Sequence, residues 1–241
     1  MNSGNRAPDP KTSSEQNAGA SVKACVVIPA FEAEAAIGGL VRAIVRKRLP
    51  VIVVDDASHD GTSLQAELAG ATVLRRDQNG GKGMALREAF PVVLQRPYDW
   101  VITMDADGQH LPSEIPKFLR AAEAGGADLI LGNRMSDPRG MPLDRRLTNQ
   151  FMSWVLSVVS GQRVPDSQCG FRMISRCVLE GVRLTSDRFE VESELVVKAA
   201  RAGYRIRSIP VSSVYRSEPS FIRPIHDAVR FLRFLFSSRR G

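Results

Sequence analysis

Short apolar runs, often β-branched, alternate with longer segments of helical periodicity along most of this chain, and this alternation limits the fold more than any other feature. Strands are expected at residues 24–28, 51–54, 71–74, 100–104, 127–131 and 204–211, and helices at 32–48, at 82–94, after Pro112 and from Phe189. Strands that are buried on both faces read as continuous apolar runs. The sequence therefore predicts one α/β domain with a mostly parallel, Rossmann-like central sheet covered by helices.

Three of the expected strands end in polar or turn-forming residues. The first runs into Pro29-Ala30-Phe31, the second into Asp55-Asp56-Ala57-Ser58, and the fourth into Asp105-Ala106-Asp107. Ligands of open parallel sheets bind outside the carboxyl ends of the strands, so these residues are expected at one ligand-binding edge. Capping of the following helix is the alternative for the second motif, where Asp60 is a candidate cap.

Asp105 and Asp107 stand two residues apart in a turn, where their side chains can converge on one ligand. Two nearby carboxylates repel each other unless a cation lies between them. Carboxylate oxygens suit Mg²⁺ or Mn²⁺, which keep several waters and bind through one or two carboxylates together with substrate phosphates. The Gly-Gly-Lys-Gly stretch at 80–83 opens an expected helix and is suited to phosphate, with a solvated lysine as the alternative.

The chain resembles family 2 glycosyltransferases in five ordered motifs. These are Ile-Pro-Ala-Phe at 28–31, Val-Asp-Asp-Ala-Ser at 54–58, Gly-Gly-Lys-Gly at 80–83, Asp-Ala-Asp-Gly-Gln at 105–109 and Cys-Gly-Phe-Arg at 169–172. More narrowly, it resembles the branch of dolichol-phosphate mannose synthases and polyprenyl-phosphate glycosyltransferases, over residues 22–215. The resemblance implies the GT-A fold, a nucleoside-diphosphate sugar donor, a divalent cation (Mg²⁺ or Mn²⁺) and inversion at the anomeric carbon.

The same resemblance assigns the donor site residue by residue. It places the metal on Asp105, Asp107 and, as in the lipid-phosphate branch, Gln109. Donor contacts are implied for Pro29, Ala30, Phe31, Glu32, Asp55, Asp56, Lys82, Gly83, Asp105, Ala106 and Arg216. The first motif departs from the family's Pro-x-(Tyr/Phe)-Asn-Glu, because Glu32 stands at the Asn position and Ala33 at the Glu position, with Glu34 as the candidate replacement.

Catalytic and acceptor-side roles are expected for Asp107, Arg134 and Asp166. Arg134 matches the arginine that faces the acceptor phosphate in lipid-phosphate relatives, and Asp166 is a candidate base or acceptor-orienting group. A hydroxyl acceptor needs a general base, whereas a lipid phosphate is already anionic and needs none. The alternatives are a surface arginine and a turn-capping aspartate. Glu192 and Glu194 are further acceptor-side candidates, or favourable charges at a helix N-terminus.

The two ends of the chain are expected to lie outside the glycosyltransferase domain, which is placed at residues 21–216. Residues 1–20 are rich in small and polar residues and are predicted to be a disordered tail. Residues 217–241 are predicted to form a basic amphipathic helix, which either lies on an anionic membrane or packs on the domain. Its apolar residues recur at three- and four-residue steps: Ile225, Val229, Leu232 and Phe236.

Charge and composition limit the partners and the compartment. The formal net charge of +7 favours anionic partners. The sequence shows neither a secretory signal nor a run of about 20 apolar residues, which favours a cytoplasmic protein with peripheral contact at the inner face of the membrane. The expected partners are a nucleoside-diphosphate sugar and a lipid-linked or other glycan acceptor, and no nucleic acid.

Two other classes of protein stay open as alternatives. One is a nucleotidyltransferase, and the other is a basic protein that binds nucleic acid or membrane without catalysis. The sequence lacks the Gly-rich, Arg/Lys signature that nucleotidyltransferases usually show early in the chain, and a basic binding protein leaves the Asp pairs unexplained. No metal role is expected for His59, His110 or His226, because they show no metal-ligand spacing.

Overall fold

Seven strands and seven α-helices make up the part of the chain that the computed structural model describes, residues 22–187 and 190–214. The strands are β1 (Ala24–Ala30), β2 (Val51–Asp55), β3 (Thr72–Arg75), β4 (Trp100–Thr103), β5 (Leu129–Asn133), β6 (Arg172–Ser175) and β7 (Ile206–Pro210). The helices are α1 (Glu34–Val45), α2 (Thr62–Leu68), α3 (Lys82–Leu94), α4 (Ile115–Glu123), α5 (Leu143–Ser160), α6 (Arg176–Gly181) and α7 (Glu190–Arg201). The predicted tail at 1–20, the predicted helix at 217–241 and Arg216 lie outside the described residues.

All seven strands belong to one sheet in the order β3-β2-β1-β4-β6-β5-β7. β6 runs antiparallel to both of its neighbours and every other pair is parallel, which confirms the mostly parallel sheet. Because β6 opposes β4, its first residue, Arg172, pairs with Thr103 at the end of β4. The loop before β6 therefore reaches the same edge of the sheet as the turns that follow β1, β2 and β4.

Alternate residues of each strand contribute to two core layers on opposite faces of the sheet. In β1, Val26 and Ile28 belong to the layer that contains α1 and α4. Cys25 and Val27 belong to the layer that contains α3, α5 and α7. Both faces of the central strands are buried, which is why they read as unbroken apolar runs in the sequence.

Sequence periodicity locates some elements well and misses others. Helix α3 begins and ends at the expected residues, whereas β5 lies two residues later than expected. Strand β6 was not expected, because a buried arginine opens it. Helix α5 was not expected either: large apolar residues lie on its exposed side as well as on its buried side, which blurs the helical period. None of the helices within 22–187 and 190–214 combines the length and apolarity needed to cross a membrane.

Candidate active site

The turn after β4 brings the predicted metal pair to the carboxyl edge of the sheet. The Asp105 carboxylate accepts a hydrogen bond from Lys82 Nζ, and its Oδ2 lies 3.2 Å from Nε2 of His110. The backbone N–H of Gln109 donates to Asp107 at 2.9 Å. The structure thus gathers the three predicted metal residues in one turn, while a side-chain role of Gln109 on a metal stays a prediction. His110, for which no metal role was expected, contacts Asp105 directly.

The charges in this turn shift the pKa values of its side chains in opposite directions. Burial and the charge of Asp105 raise the pKa of Asp107. Burial opposes ionisation of Asp105, but the Lys82 ammonium and the hydrogen bond from His110 outweigh it and hold the pKa of Asp105 far below its usual range. Burial also opposes the charge on Lys82, yet Asp105 and Glu192 raise the pKa of that ammonium. The charge of Asp105 is thus paired with Lys82, whereas burial and the charge of Asp105 disfavour a charge on Asp107.

Lys82, the first residue of α3, connects this turn to α7. Its Nζ lies 2.8 Å from Oε1 of Glu192, and its side chain is 11% exposed. The backbone of Gly170 passes so close that a Cβ there would lie 2.7 Å from Lys82 Nζ and would overlap the Asp105 carboxylate. Glu192, a predicted acceptor-side residue, thus belongs to the same cluster as the predicted metal pair.

The donor set of the turn fits a divalent cation that is held jointly with a substrate. Within the described residues there is no group of three or more His, Cys, Asp or Glu side chains placed to hold a metal on their own. Mg²⁺ and Mn²⁺ bind through as few as one or two carboxylates when substrate phosphates supply further oxygens. Asp105 and Asp107 offer such oxygens, and a cation beside them would offset the burial and the negative charge of Asp105 that together raise the pKa of Asp107.

The residues after β1 form a second part of the same edge. Phe31 is 45% exposed, whereas Ala30 is buried and Pro29 is partly buried. Glu32 has a left-handed backbone with φ +48°, and its N–H donates to Ser58 Oγ at 2.9 Å. The ends of β1 and β2 are therefore fixed together, with an exposed aromatic ring beside them, and the predicted contacts of this loop with a nucleotide stay predictions.

Local hydrogen bonds engage two aspartates of the Asp-rich motif after β2. Asp55 is fully buried and accepts a hydrogen bond from the Ser58 N–H at 2.9 Å. Asp60 accepts from the Thr62 N–H at 3.0 Å, at the start of α2. It also accepts from the Glu34 N–H at 3.1 Å, so it ties α1 to α2. Asp60 thus lies one residue before Gly61, the N-cap of α2, and accepts from the first N–H group of α2 and of α1 without being the N-cap itself.

Asp56 holds the loop before α3 in place. Its carboxylate pairs with the Arg76 guanidinium and accepts hydrogen bonds from the N–H groups of Gly80, at 3.0 Å, and Gly81, at 2.7 Å. Gly81 has φ +88°, a conformation that favours glycine directly before the helix. Asp56 thus fixes the backbone that presents Lys82. Arg76 was not predicted as part of the site. The one signal in the sequence was its position directly after β3, at the same edge of the sheet.

The acceptor-side residues predicted from the sequence form a pair at the end of β5. Arg134 binds Asp166 through Nε at 2.8 Å and through Nη2 at 2.9 Å, and its backbone N–H donates to the same carboxylate. Asn149 of α5 donates to Asp166 at 2.7 Å. Burial opposes ionisation of Asp166, but the charge and hydrogen bonds of Arg134 dominate and lower its pKa. Asp166 is therefore an ionised anchor for Arg134.

The loop between Asp166 and β6 is held by a buried arginine. Arg172 is 1% exposed, and its guanidinium donates to the carbonyls of Ser167 and Cys169, each at 2.9 Å, and to the carbonyl of Glu192. Phe171 is fully buried, whereas Gly170 supplies the close backbone approach to Lys82 described above. The Cys-Gly-Phe-Arg motif thus positions this loop. Two other predicted donor residues, Gly83 and Ala106, are buried beside the site.

Comparison with known proteins agrees with this arrangement. A family model described as "Glycosyl transferase family 2" matches residues 25–182. Uncharacterized protein MJ1222 of Methanocaldococcus jannaschii is 34% identical over 196 residues, which cover 79% of this chain and 81% of that protein. Undecaprenyl-phosphate mannosyltransferase of Micrococcus luteus is 33% identical over 178 residues, which cover 69% of this chain and 72% of the mannosyltransferase.

A solved structure shows the same architecture. The crystal structure of glucosyl-3-phosphoglycerate synthase of Mycobacterium tuberculosis has a TM-score of 0.73 at 22% identity, covering 90% of this chain and 80% of the synthase. Another crystal structure of that synthase is a complex with Mn²⁺, UDP and phosphoglyceric acid. At this identity the likeness shows the fold, and it confirms the GT-A architecture. Together with the family match over most of the chain, it establishes that this protein is an enzyme of glycosyltransferase family 2, as its motifs predicted.

Proposed function

We propose that this enzyme transfers a sugar from a nucleoside-diphosphate sugar to a polyprenyl phosphate or another lipid-linked acceptor, with Mg²⁺ or Mn²⁺ and with inversion at the anomeric carbon. The observation that carries the proposal is that a pair of carboxylates and an anchored arginine share one sheet edge. The carboxylate pair of Asp105 and Asp107 follows β4, and the Arg134–Asp166 pair follows β5. The carboxylate pair suits a divalent cation bound to the donor diphosphate, and Arg134 suits an anionic acceptor.

On the donor side, Asp105 and Asp107 would hold the cation, which would act as a Lewis acid on the leaving diphosphate. Lys82 brings an ammonium group to the N-terminus of α3, where the helix dipole also favours negative charge. The hydrogen bonds from Asp56 fix the preceding glycines, so Lys82 approaches the diphosphate from a fixed backbone. Phe31 offers an exposed ring on which a nucleotide base can pack.

On the acceptor side, Arg134 supplies the charge that recognises a phosphate. A lipid phosphate is already ionised at neutral pH, so its attack on the sugar carbon requires orientation rather than removal of a proton. The low pKa of Asp166 makes its carboxylate a weak base, and both of its oxygens are engaged by Arg134. We therefore assign Asp166 the role of positioning Arg134, and not that of a general base.

The relative from Micrococcus luteus, whose name specifies undecaprenyl phosphate, supports a lipid acceptor for this chain. A water-soluble donor and a membrane-held acceptor meet at a membrane surface. We accordingly propose that the enzyme works in peripheral contact with the cytoplasmic face of the membrane.

The test is release of nucleoside diphosphate by the full chain, supplied with UDP-, GDP- and other nucleoside-diphosphate sugars and with polyprenyl phosphate in detergent. We expect turnover of one donor with Mn²⁺ or Mg²⁺ and none with EDTA. Lewis-acid stabilisation is worth several kcal/mol, so Asp107→Asn should lower kcat roughly hundredfold or more. Asp99→Asn, an exposed carboxylate at the opposite end of β4, should leave kcat unchanged.

Two results would contradict the proposal. Failure to turn over any donor, under conditions in which the undecaprenyl-phosphate mannosyltransferase is active, would overturn the glycosyl transfer. Turnover with a soluble phosphorylated acceptor, but not with polyprenyl phosphate, would overturn the lipid acceptor.

A further inference from the structure

Helix α5 carries a row of large apolar side chains that face solvent over almost its whole length. They are Leu143 (73% exposed), Leu147 (64%), Phe151 (51%), Trp154 (64%) and Val158 (66%). Steps of three and four residues place them on one face of the helix. At about 1.5 Å per residue the row is roughly 22 Å long. A continuous apolar row of this length on the protein surface is unusual for a protein that is surrounded by water alone.

The opposite face of α5 belongs to the acceptor side of the active site. Asn149 is buried there and donates to Asp166, which holds Arg134. The turn that carries Arg134 leads directly into the segment before α5. One helix therefore contacts the acceptor-side anchor with one face and presents its apolar row with the other.

The surroundings of the row are basic. Between residues 134 and 163 the sequence contains five arginines and two aspartates. Arg146 and Arg163 are exposed, one beside the apolar row and one just beyond the end of the helix. Trp154 and Phe151 lie together in the row, with ring centroids 6.3 Å apart. Exposed apolar and aromatic side chains flanked by arginines are the composition of a helix that lies in the interface of an anionic bilayer.

We propose that the exposed face of α5 inserts into the interface of an anionic lipid bilayer and so brings the acceptor side of the active site to the membrane. This inference extends the proposed function, because it names the surface that presents the enzyme to a lipid-phosphate acceptor. The apolar side chains enter the boundary between headgroups and acyl chains, and the arginines contact the anionic headgroups.

Trp154 makes the proposal measurable in the full chain. Of the two tryptophans in the sequence, Trp100 is 8% exposed within the sheet and Trp154 is 64% exposed on α5. We expect vesicles that contain about a third phosphatidylglycerol in phosphatidylcholine to shift the fluorescence of Trp154 to shorter wavelength, and brominated lipids to quench it. Trp154→Phe should abolish both changes, which would assign the signal to this helix.

A pair of matched variants tests the row itself. Leu147→Ser with Val158→Ser removes two exposed apolar side chains from α5, and Leu64→Ser with Leu68→Ser removes two of similar exposure, 57% and 72%, from α2. Each serine leaves less apolar surface to bury in the interface, so the α5 variant should bind vesicles at least about tenfold more weakly. The α2 variant should bind as the wild type does.

Transfer assays separate this proposal from the proposed function. The α5 variant should retain full turnover with polyprenyl phosphate dispersed in detergent and lose most of its turnover with the same acceptor embedded in vesicles. Absence of turnover in detergent for the wild type would count against the proposed function, while the vesicle-binding comparison would still decide the role of α5.

Three results would overturn the role of α5. Equal vesicle binding by the α5 variant and the wild type would exclude it. A wild-type dimer that the α5 variant converts to a monomer would show that a second copy covers this face. Trp154 emission that is already blue-shifted without vesicles, and unchanged by them, would show that another segment of the chain covers it.

Discussion

Gly170 sets a steric limit at the centre of the active site. A methyl group at this position would overlap the Asp105 carboxylate and crowd Lys82 Nζ, so one of the two must move. A misplacement of about 1 Å in a catalytic group can cost roughly 10²-fold in rate. We therefore expect Gly170→Ala to lower kcat by about two orders of magnitude while the protein still folds, as measured by steady-state release of nucleoside diphosphate and by circular dichroism.

Gly39 provides the matched control for this substitution. It lies in α1, and nothing approaches within 4 Å of the position its Cβ would occupy. Alanine inside a helix is favoured over glycine by about 0.5–1 kcal/mol, so Gly39→Ala should raise the melting temperature and leave kcat unchanged. A wild-type kcat for Gly170→Ala would show that the carboxylate and the ammonium can shift without consequence.

At this scale the sequence predicts which residues carry charge, but not which ones meet. Asp105 and Asp107 could be identified because carboxylates directly after an apolar run indicate a strand end. Their partners could not: Lys82 lies 23 residues before Asp105, and Glu192 lies 110 residues after Lys82. Whether these side chains meet depends on how the loops cross the sheet edge. The contact of His110 with Asp105 is a further example, since the absence of ligand spacing spoke only to a metal role and gave no sign of this contact.

Strand β6 and the loop before it depend on one buried side chain. Arg172 donates to the carbonyls of Ser167 and Cys169 in the loop before β6 and to the carbonyl of Glu192 in the first turn of α7. An unsatisfied buried polar group costs about 1–3 kcal/mol, so Arg172→Met should lower the free energy of unfolding by roughly 3 kcal/mol or more. Urea unfolding would measure the change. Arg120→Met, an exposed arginine on α4, should stay within about 0.5 kcal/mol of the wild type.

Helix α7 fixes the segment before it through another buried carboxylate. Glu194 is fully buried and accepts hydrogen bonds from the Thr185 N–H and hydroxyl and from the Ser186 N–H. Burial opposes its ionisation, but Lys198 and these donors outweigh it and lower the pKa of Glu194 from its ordinary value of 4.5. We expect Glu194→Gln to destabilise the protein by about 1–3 kcal/mol at pH 7.

The same carboxylate gives this destabilisation a defined pH dependence. Because its folded pKa is the lower one, the unfolded chain takes up the proton first as the pH falls below about 4.5, and the stabilisation by ionised Glu194 is lost as the pH falls further, through the folded pKa. The difference in unfolding free energy between wild type and Glu194→Gln should therefore narrow on acidification. A difference that stays constant from pH 7 to about pH 3 would show that Glu194 does not titrate in this window.

Across the whole molecule, local sequence patterns predict the parallel strands of the sheet but not the antiparallel strand that is inserted among them. The parallel strands have both faces buried, and their apolar runs are visible without any knowledge of the fold. Strand β6 is inserted antiparallel between β4 and β5, and only tertiary packing decides that Arg172 can be buried there. Helix α5 was also missed, because apolar side chains on its exposed face as well as on its buried face blur the helical period. β6 and α5 thus lie beside the proposed acceptor residues, whereas the proposed donor residues stand in motifs that the sequence shows.

Because the proposed donor and acceptor residues follow different strands, we expect that a substitution can impair use of the acceptor without impairing binding of the donor. The proposed donor residues follow β1, β2 and β4, whereas Arg134 follows β5 and is anchored through α5. A ligand at a hundredfold excess over its Kd stabilises the folded state by about 2.7 kcal/mol, which corresponds to roughly 5–10 °C in Tm for a chain of this size. We expect a shift of that order with the correct nucleoside-diphosphate sugar and Mn²⁺, in the wild type and in Arg134→Lys alike.

Transfer to polyprenyl phosphate should nevertheless fall at least about tenfold in Arg134→Lys, because lysine cannot reproduce the bidentate pairing of Arg134 with Asp166. A variant that lost the donor-induced shift together with transfer would show that Arg134 serves the donor, and that the two sides of the sheet edge do not act separately.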